Sequence, residues 1–172
     1  SNVDKLNQNN AKIANLAITA FINCFVSASA LNTSQIYNLK VTDVKDLHAS
    51  TKGMRIITTK PRAGYKNIEL TLPLKFRKLL LEYLNLREWI IKNYKFDDDI
   101  DESENLLFIG LNNTKAIYKE NFIISYSENQ HNIFRTWFIK HFYEIEWIPL
   151  SKLRSTIANI YHNESKNLNI VA

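Results

Sequence analysis

The strongest constraint on the fold of this chain is how few residues it has that break helices. Three glycines and three prolines interrupt 172 residues, so long helices are expected. Between residues 11 and 31, apolar side chains recur at steps of three and four, which is typical of a helix that buries one stripe. The stripe is predicted to contain Ile13, Leu16, Ala17, Ala20, Phe21, Cys24 and Phe25. Similar spacing predicts helices over 74–95, 128–143 and 150–163.

One β-rich segment interrupts the helices. Residues 53–60 are rich in β-forming side chains, and after a loop that contains Gly64 the apolar residues Ile68, Leu70 and Leu72 alternate with polar ones, so residues 54–73 are predicted to form an antiparallel hairpin. Before it, Thr33 and Ser34 can cap a short helix whose Ile36 and Leu39 face inward. A strand-like piece follows at 106–110. The order predicts one domain over residues 1–172, mainly α with a small antiparallel β-sheet, an α+β fold class.

Composition excludes several classes of protein. Cys24 is the only cysteine, so a disulfide framework and a cysteine zinc site are excluded, and a reduced, cytoplasmic location is expected. The four histidines lack ligand-pair spacing, so we expect no metal and no cofactor. No run of 18 consecutive apolar residues or signal peptide is present, so no membrane association is expected. Because Met54 is the only methionine, we expect a piece of a longer protein.

The charge distribution favours a polyanionic partner. Six of the 17 acidic residues lie in residues 97–104, which leaves 22 basic residues against 11 acidic ones elsewhere. A basic surface attracts nucleic acid without any sequence recognition. Charge alone also serves solubility, and both interpretations stay open at this point.

Three segments in order resemble the tyrosine recombinase and phage integrase family. Residues 29–44, SALNTSQIYNLKVTDV, resemble its pattern T-G-L-R-x-S-E-L-x-x-L-x-W-x-D-I. In that family a three-stranded sheet follows at once, and residues 58–74 are similar to it, with Lys60 at the position of the family's lysine at the end of the second strand. Residues 151–161, SKLRSTIANIY, resemble the later pattern H-x-L-R-H-T. The first segment matches at Ala30, Leu31, Ser34, Gln35, Ile36, Leu39, Lys40, Asp43 and Val44.

The resemblance implies a reaction and a set of site residues. In this family a tyrosine attacks a DNA phosphate, two arginine forks stabilise the developing charge, and a hairpin lysine supplies a proton to the leaving oxygen. It implies catalytic roles for Arg154 and Lys60, double-stranded DNA as partner, a possible homo-oligomer on DNA, and a setting in mobile-element integration or excision. No metal is required. Lysines and arginines expected to contact DNA are Lys40, Lys52, Arg62, Lys66 and Lys152.

The chain departs from the family at positions that matter for catalysis. Asn32 occupies the first arginine position and Ser151 the histidine position, and the sequence ends before the family's nucleophilic tyrosine. Since one lost oxyanion donor typically costs about 10²–10³ in rate, this chain is expected not to cut DNA. Two alternatives stay open: a DNA-binding accessory or regulatory protein that lost the chemistry, and a helical protein-interaction domain.

Each singled-out residue also has a structural interpretation. Asn32 can be a helix C-cap beside the N-cap Ser34, and Lys60 can be a solvated turn lysine. Tyr161 is expected to be a packing or surface residue rather than a nucleophile. Five aromatic residues at helical spacing are expected in the core: Trp137, Phe138, Phe142, Tyr143 and Trp147.

Overall fold

The computed structural model describes residues 2–47, 53–60, 66–98, 105–112 and 122–168. Five α-helices and six β-strands lie in these ranges. The helices are α1 (Asn2–Ser29), α2 (Thr33–Asn38), α3 (Arg77–Asn93), α4 (Glu128–His141) and α5 (Leu150–Leu168). The strands are β1 (Val44–Lys45), β2 (Met54–Lys60), β3 (Lys66–Leu72), β4 (Lys95–Phe96), β5 (Ile109–Asn112) and β6 (Phe122–Ser125).

Helix α1 forms the centre of the core, and its buried stripe matches the predicted one at Phe21 and Phe25 but not at most of the other positions. Ala14, Ile18, Ile22 and Phe25 are buried at steps of four and three, whereas Ile13 is 63% exposed. Small alanines line the buried side because α3, α4, α5 and β5 all approach the helix. Periodicity therefore located the helix and misjudged its orientation. Three further members of the predicted stripe are exposed: Ala17, Ala20 and Cys24.

The apolar composition of α1 also gives it the length and hydropathy of a membrane span. Within the described residues, Asn9–Ser29 meets those criteria with a mean hydropathy of 1.5, which a count of consecutive apolar residues did not register. In the fold, 44% of the qualifying window is buried. The buried residues of this window pack in the domain core.

An aromatic group joins α1 to α3 and to the segment before β5. The rings of Phe21 and Tyr83 stack with centroids 4.3 Å apart, and Phe25 meets the edge of Phe108 at 5.2 Å. The Tyr83 hydroxyl donates to the carbonyl oxygen of Leu107 at 2.8 Å. A buried hydroxyl with a partner avoids the cost of an unmade hydrogen bond. These rings fix α1 and α3 against each other.

The predicted hairpin is confirmed, and β1 adds a third strand. β2 pairs antiparallel with β1 and β3 in the order β1-β2-β3, with Ile56 opposite both Val44 and Leu70. Met54, Ile56 and Leu72 are fully buried, so the two strands direct one face of the hairpin into the core. The connecting residues 61–65 lie outside the described ranges.

A second sheet was not predicted. Its order is β4-β6-β5, with β4 parallel and β5 antiparallel to β6. Gly110 in β5 lets α4 approach, because a Cβ there would lie 2.8 Å from the Gln130 amide nitrogen. β4 has two residues and β6 four, too few for a periodic signal.

The aromatic residues of α4 and the following turn do not form a buried core, which corrects that expectation. Tyr143 is 82% exposed and Phe142 is 42% exposed. Trp137, Phe138 and Trp147 are half-buried. They contact one another instead, with ring centroids of Phe138 and Trp147 5.4 Å apart. The cluster lies at the edge of the domain, where few elements cover it.

Candidate nucleic-acid interface

The junction between α1 and α2 has a defined backbone geometry. Ala30, where the recombinase pattern has glycine, adopts a positive φ of 52°, and its N–H donates to the Val26 carbonyl oxygen at 2.8 Å. This left-handed residue ends α1 and turns the chain. Non-glycine residues adopt that conformation only at some energetic cost, so the fold maintains the turn against a local preference.

Asn32 caps α2, which settles the structural interpretation of this position as an N-cap rather than a C-cap. Its Oδ1 accepts hydrogen bonds from the Gln35 N–H at 2.9 Å and the Ser34 hydroxyl at 2.8 Å. The Gln35 Oε1 in turn accepts from the Asn32 N–H at 3.1 Å, completing a capping box. Thr33 and Ser34, the predicted caps, lie inside the helix. The side-chain oxygen of Asn32 is therefore engaged by the helix.

Arg154 lies next to this junction although it is 124 residues from Ala30 in sequence. Its Nε donates to the Ala30 carbonyl oxygen at 2.9 Å. The bond uses only Nε, and Arg154 is exposed. Leu150 and Leu153 pack against the core and position the first turn of α5. Two of the motifs singled out in sequence thus meet in space.

Ser151 and Thr33 line a common cleft between α2, α4 and the start of α5, which we call the α4–α5 cleft. Its volume is about 430 Å³, within the range of small-ligand sites. Ser151 lies one turn before Arg154, and Thr33 follows Asn32, so the cleft borders the junction just described. The full lining is Thr33, Tyr37, Glu128, His131, Asn132, Arg135, Trp147, Pro149, Leu150 and Ser151.

Two ionisable groups in the cleft are perturbed by burial. Burial lowers the pKa of the His131 imidazole, an effect that nearby Glu128 opposes and Arg135 adds to. Burial, and then the Glu128 carboxylate, raise the pKa of the Tyr37 hydroxyl. His131 also lies 3.4 Å from the Tyr126 hydroxyl through Nδ1. Both cleft groups therefore favour their uncharged forms.

The remaining predicted site residues are placed only in part. Lys60 is the last residue of β2 and pairs with Lys66, the first residue of β3. Lys40 and Lys152 are exposed, and the Lys40 N–H donates to Asp43 at 2.8 Å. Lys52 and Arg62 lie outside the described residues. A common basic face therefore stays a prediction.

Several cleft residues were missed in the sequence, among them Arg135 and Glu128. Glu128, His131 and Arg135 follow at steps of three and four, so they share one face of α4. This spacing indicates a polar face of the helix, but it does not indicate which other elements pack against that face. Among the described residues, no group of three or more His, Cys, Asp or Glu side chains could hold a metal ion.

Comparison with known proteins identifies the fold and not the sequence family. No family model matches this chain, and no curated protein matches it in sequence. It is similar to the crystal structure of the XerH site-specific recombinase bound to its difH substrate, a pre-cleavage complex. The TM-score is 0.55 at 16% identity, over 93% of this chain and 38% of that one. The likeness confirms the predicted fold class, a mainly α-helical domain resembling a tyrosine recombinase catalytic domain.

Proposed function

We propose that this chain is a DNA-binding catalytic domain, or part of one, from a site-specific recombinase of the tyrosine recombinase family. The observation that carries the proposal is the bond from Arg154 to Ala30. It brings together the two segments that resemble the family's arginine motifs, in a fold similar to that of a site-specific recombinase. The partner is double-stranded DNA, with a possible homo-oligomer formed on it. The setting is recombination or integration of a mobile element in the cytoplasm.

The proposed chemistry assigns a role to each matching residue. The terminal nitrogens of Arg154 would donate to the non-bridging oxygens of a DNA phosphate, where a planar fork matches the charge that develops. Lys60, at the end of β2, would protonate the leaving oxygen. Asn32 and Ser151 occupy the other two positions, and neither brings a charge. Weak or absent strand cleavage follows from this donor set.

A second candidate function is an accessory or regulatory DNA-binding protein without chemistry. The capping box of Asn32 favours it, because the side-chain oxygen at the first arginine position serves the helix instead of a phosphate. Both candidates predict duplex binding. Only the first predicts that a longer version of the reading frame with Asn32→Arg forms a covalent protein–DNA adduct.

Duplex binding is tested by titrating a labelled duplex at two ionic strengths. We expect binding in about the micromolar range that weakens steeply with salt, since each phosphate contact releases counterions. Salt-independent binding, or none at low salt, would reject both DNA-binding functions and leave the third one, a protein-interaction domain.

The role of Arg154 is tested with Arg154→Ala, Arg154→Lys and the control Lys92→Ala, which removes an exposed charge on α3. Arg154→Ala should lose most site-specific binding, and Arg154→Lys should recover little because it lacks the fork. The lost bond to Ala30 should cost only about 1 kcal/mol of unfolding free energy. If Lys92→Ala weakened binding as much as Arg154→Ala, the assigned role would be wrong.

Catalysis is tested with a suicide DNA substrate and a gel assay for adducts. Residues 1–172 should form none, and Asn32→Arg in a longer version of the reading frame should raise the rate of adduct formation. An adduct formed by residues 1–172 that disappears in Tyr161→Phe would identify Tyr161 as the nucleophile, against our expectation. An Asn32→Arg variant that unfolds would show that position 32 serves the cap alone.

A further inference from the structure

Arg135 lies where two clefts adjoin on the exposed face of α4. It lines the α4–α5 cleft and a neighbouring cleft of about 520 Å³ formed with Asn132, Thr136 and Ile139. Asn132 also lines both. The two clefts therefore meet at one arginine and one carboxamide, each offering N–H donors to anything that enters.

The guanidinium of Arg135 is uncommitted, unlike those of other arginines in the described part of the chain. Arg55 binds Asp46 and Glu69, and Arg87 donates to the Leu106 carbonyl oxygen at 3.0 Å. Among the described residues, Arg135 makes no hydrogen bond or ion pair. It is also exposed, so binding an anion would break no existing contact.

The surroundings of Arg135 suit a phosphate at one end of the α4–α5 cleft. The hydroxyls of Ser151 and Thr33 line it as further donors, and Trp147 and Leu150 supply apolar walls that strengthen electrostatic attraction. Glu128 disfavours an anion, but it lies seven residues along α4, about 10 Å away along the helix axis. A phosphate is therefore expected at the Arg135 end of the cleft.

We propose that Arg135 binds a DNA phosphate in this cleft and supplies, from α4, the guanidinium that Asn32 lacks. The inference rests on the proposed function for its ligand. Arg135 lines the same cleft as Thr33, which follows Asn32, and Ser151, which lies one turn before Arg154. A guanidinium there gives phosphate the planar two-point contact that a carboxamide does not.

The test compares the duplex affinity and salt dependence of Arg135→Ala, Arg135→Lys and the matched control Lys140→Ala. Lys140 is exposed on the same helix, and its loss changes net charge equally. Arg135→Ala should weaken binding roughly five- to tenfold and lower the salt slope by about one. Lys140→Ala should change affinity less than about twofold, and Arg135→Lys should fall between them. Equal effects of the two alanine variants would overturn the inference.

A second measurement separates this inference from the proposed function. Inorganic phosphate is titrated while the NMR signals of the His131 ring are followed in the unaltered chain and in Arg135→Ala. Shifts that require Arg135, in a chain that binds no duplex, would keep the phosphate site and reject the recombinase function. Duplex binding that is unchanged in Arg135→Ala would keep the proposed function and reject the phosphate site at Arg135. A chain that binds neither probe would overturn both.

Discussion

Two groups of aromatic residues at helical spacing differ in burial. Phe21 and Phe25 of α1 and Tyr83 of α3 are buried, whereas the five aromatic residues predicted for the core around α4 are half-buried or exposed: Trp137, Phe138, Phe142, Tyr143 and Trp147. Phe25 is completely buried between rings from three parts of the chain. Phe138 contacts Phe134, Phe142 and Trp147, and it stays partly exposed. Helical spacing of aromatic residues thus indicates that they contact one another. It does not indicate that other elements cover them.

The difference also separates stability from function. Phe21, Phe25 and Tyr83 are not among the residues that line the α4–α5 cleft, whereas the half-buried Trp147 forms part of its wall. Elements that hold a ligand need an open side, and the open side is where aromatic surface stays uncovered. The core can therefore be rigid while the proposed site is supported by fewer contacts.

The largest expected effect is a loss of stability in the buried aromatic group. Phe25→Ala should lower the free energy of unfolding by about 4 kcal/mol, because a fully buried ring leaves a cavity. Phe138→Ala should cost roughly 2 kcal/mol, since its ring is already partly hydrated. Both values come from urea denaturation followed by circular dichroism. Equal losses would mean that the α4 group is covered in solution.

A smaller effect concerns the cap at the junction. Asn32→Ala should cost about 1 kcal/mol of unfolding free energy, because the Gln35 N–H loses its acceptor, and Asn32→Ser should restore most of it. Ser34→Ala serves as control, since its hydroxyl only donates to Asn32. If Asn32→Ala were neutral in denaturation while weakening DNA binding, position 32 would act on the ligand and not as a cap.

The smallest expected effect is a pH dependence of the unfolding free energy, caused by His131 in the α4–α5 cleft. Because burial lowers the pKa of His131, the folded chain favours the neutral ring, whereas the unfolded chain titrates near the ordinary value of about 6.5. The stability from this group is therefore present above about pH 6.5 and is lost as pH falls below it. The unfolding free energy of His131→Gln should fall less between pH 7.5 and pH 5 than that of the unaltered chain. Identical pH profiles would contradict a neutral buried ring.

Local patterns predicted local structure well and long-range contacts poorly. Ile36 and Leu39 are both fully buried, as their spacing required, and the predicted hairpin is present. The cap was misassigned by one residue because Asn32, Thr33 and Ser34 are all good N-cap types. The α4–α5 cleft could not be predicted from the sequence, because its lining residues come from three separate segments. Only the family resemblance linked Arg154 to the junction.

The partner of the Arg154 side chain is a main-chain carbonyl, and every amino acid provides one. Replacement of Ala30 by any residue that tolerates the turn would therefore keep the acceptor in place. The side chain at position 30 therefore does not reveal that its carbonyl group binds an arginine. The side chains at this junction could therefore change widely while Arg154 keeps its hydrogen-bond partner.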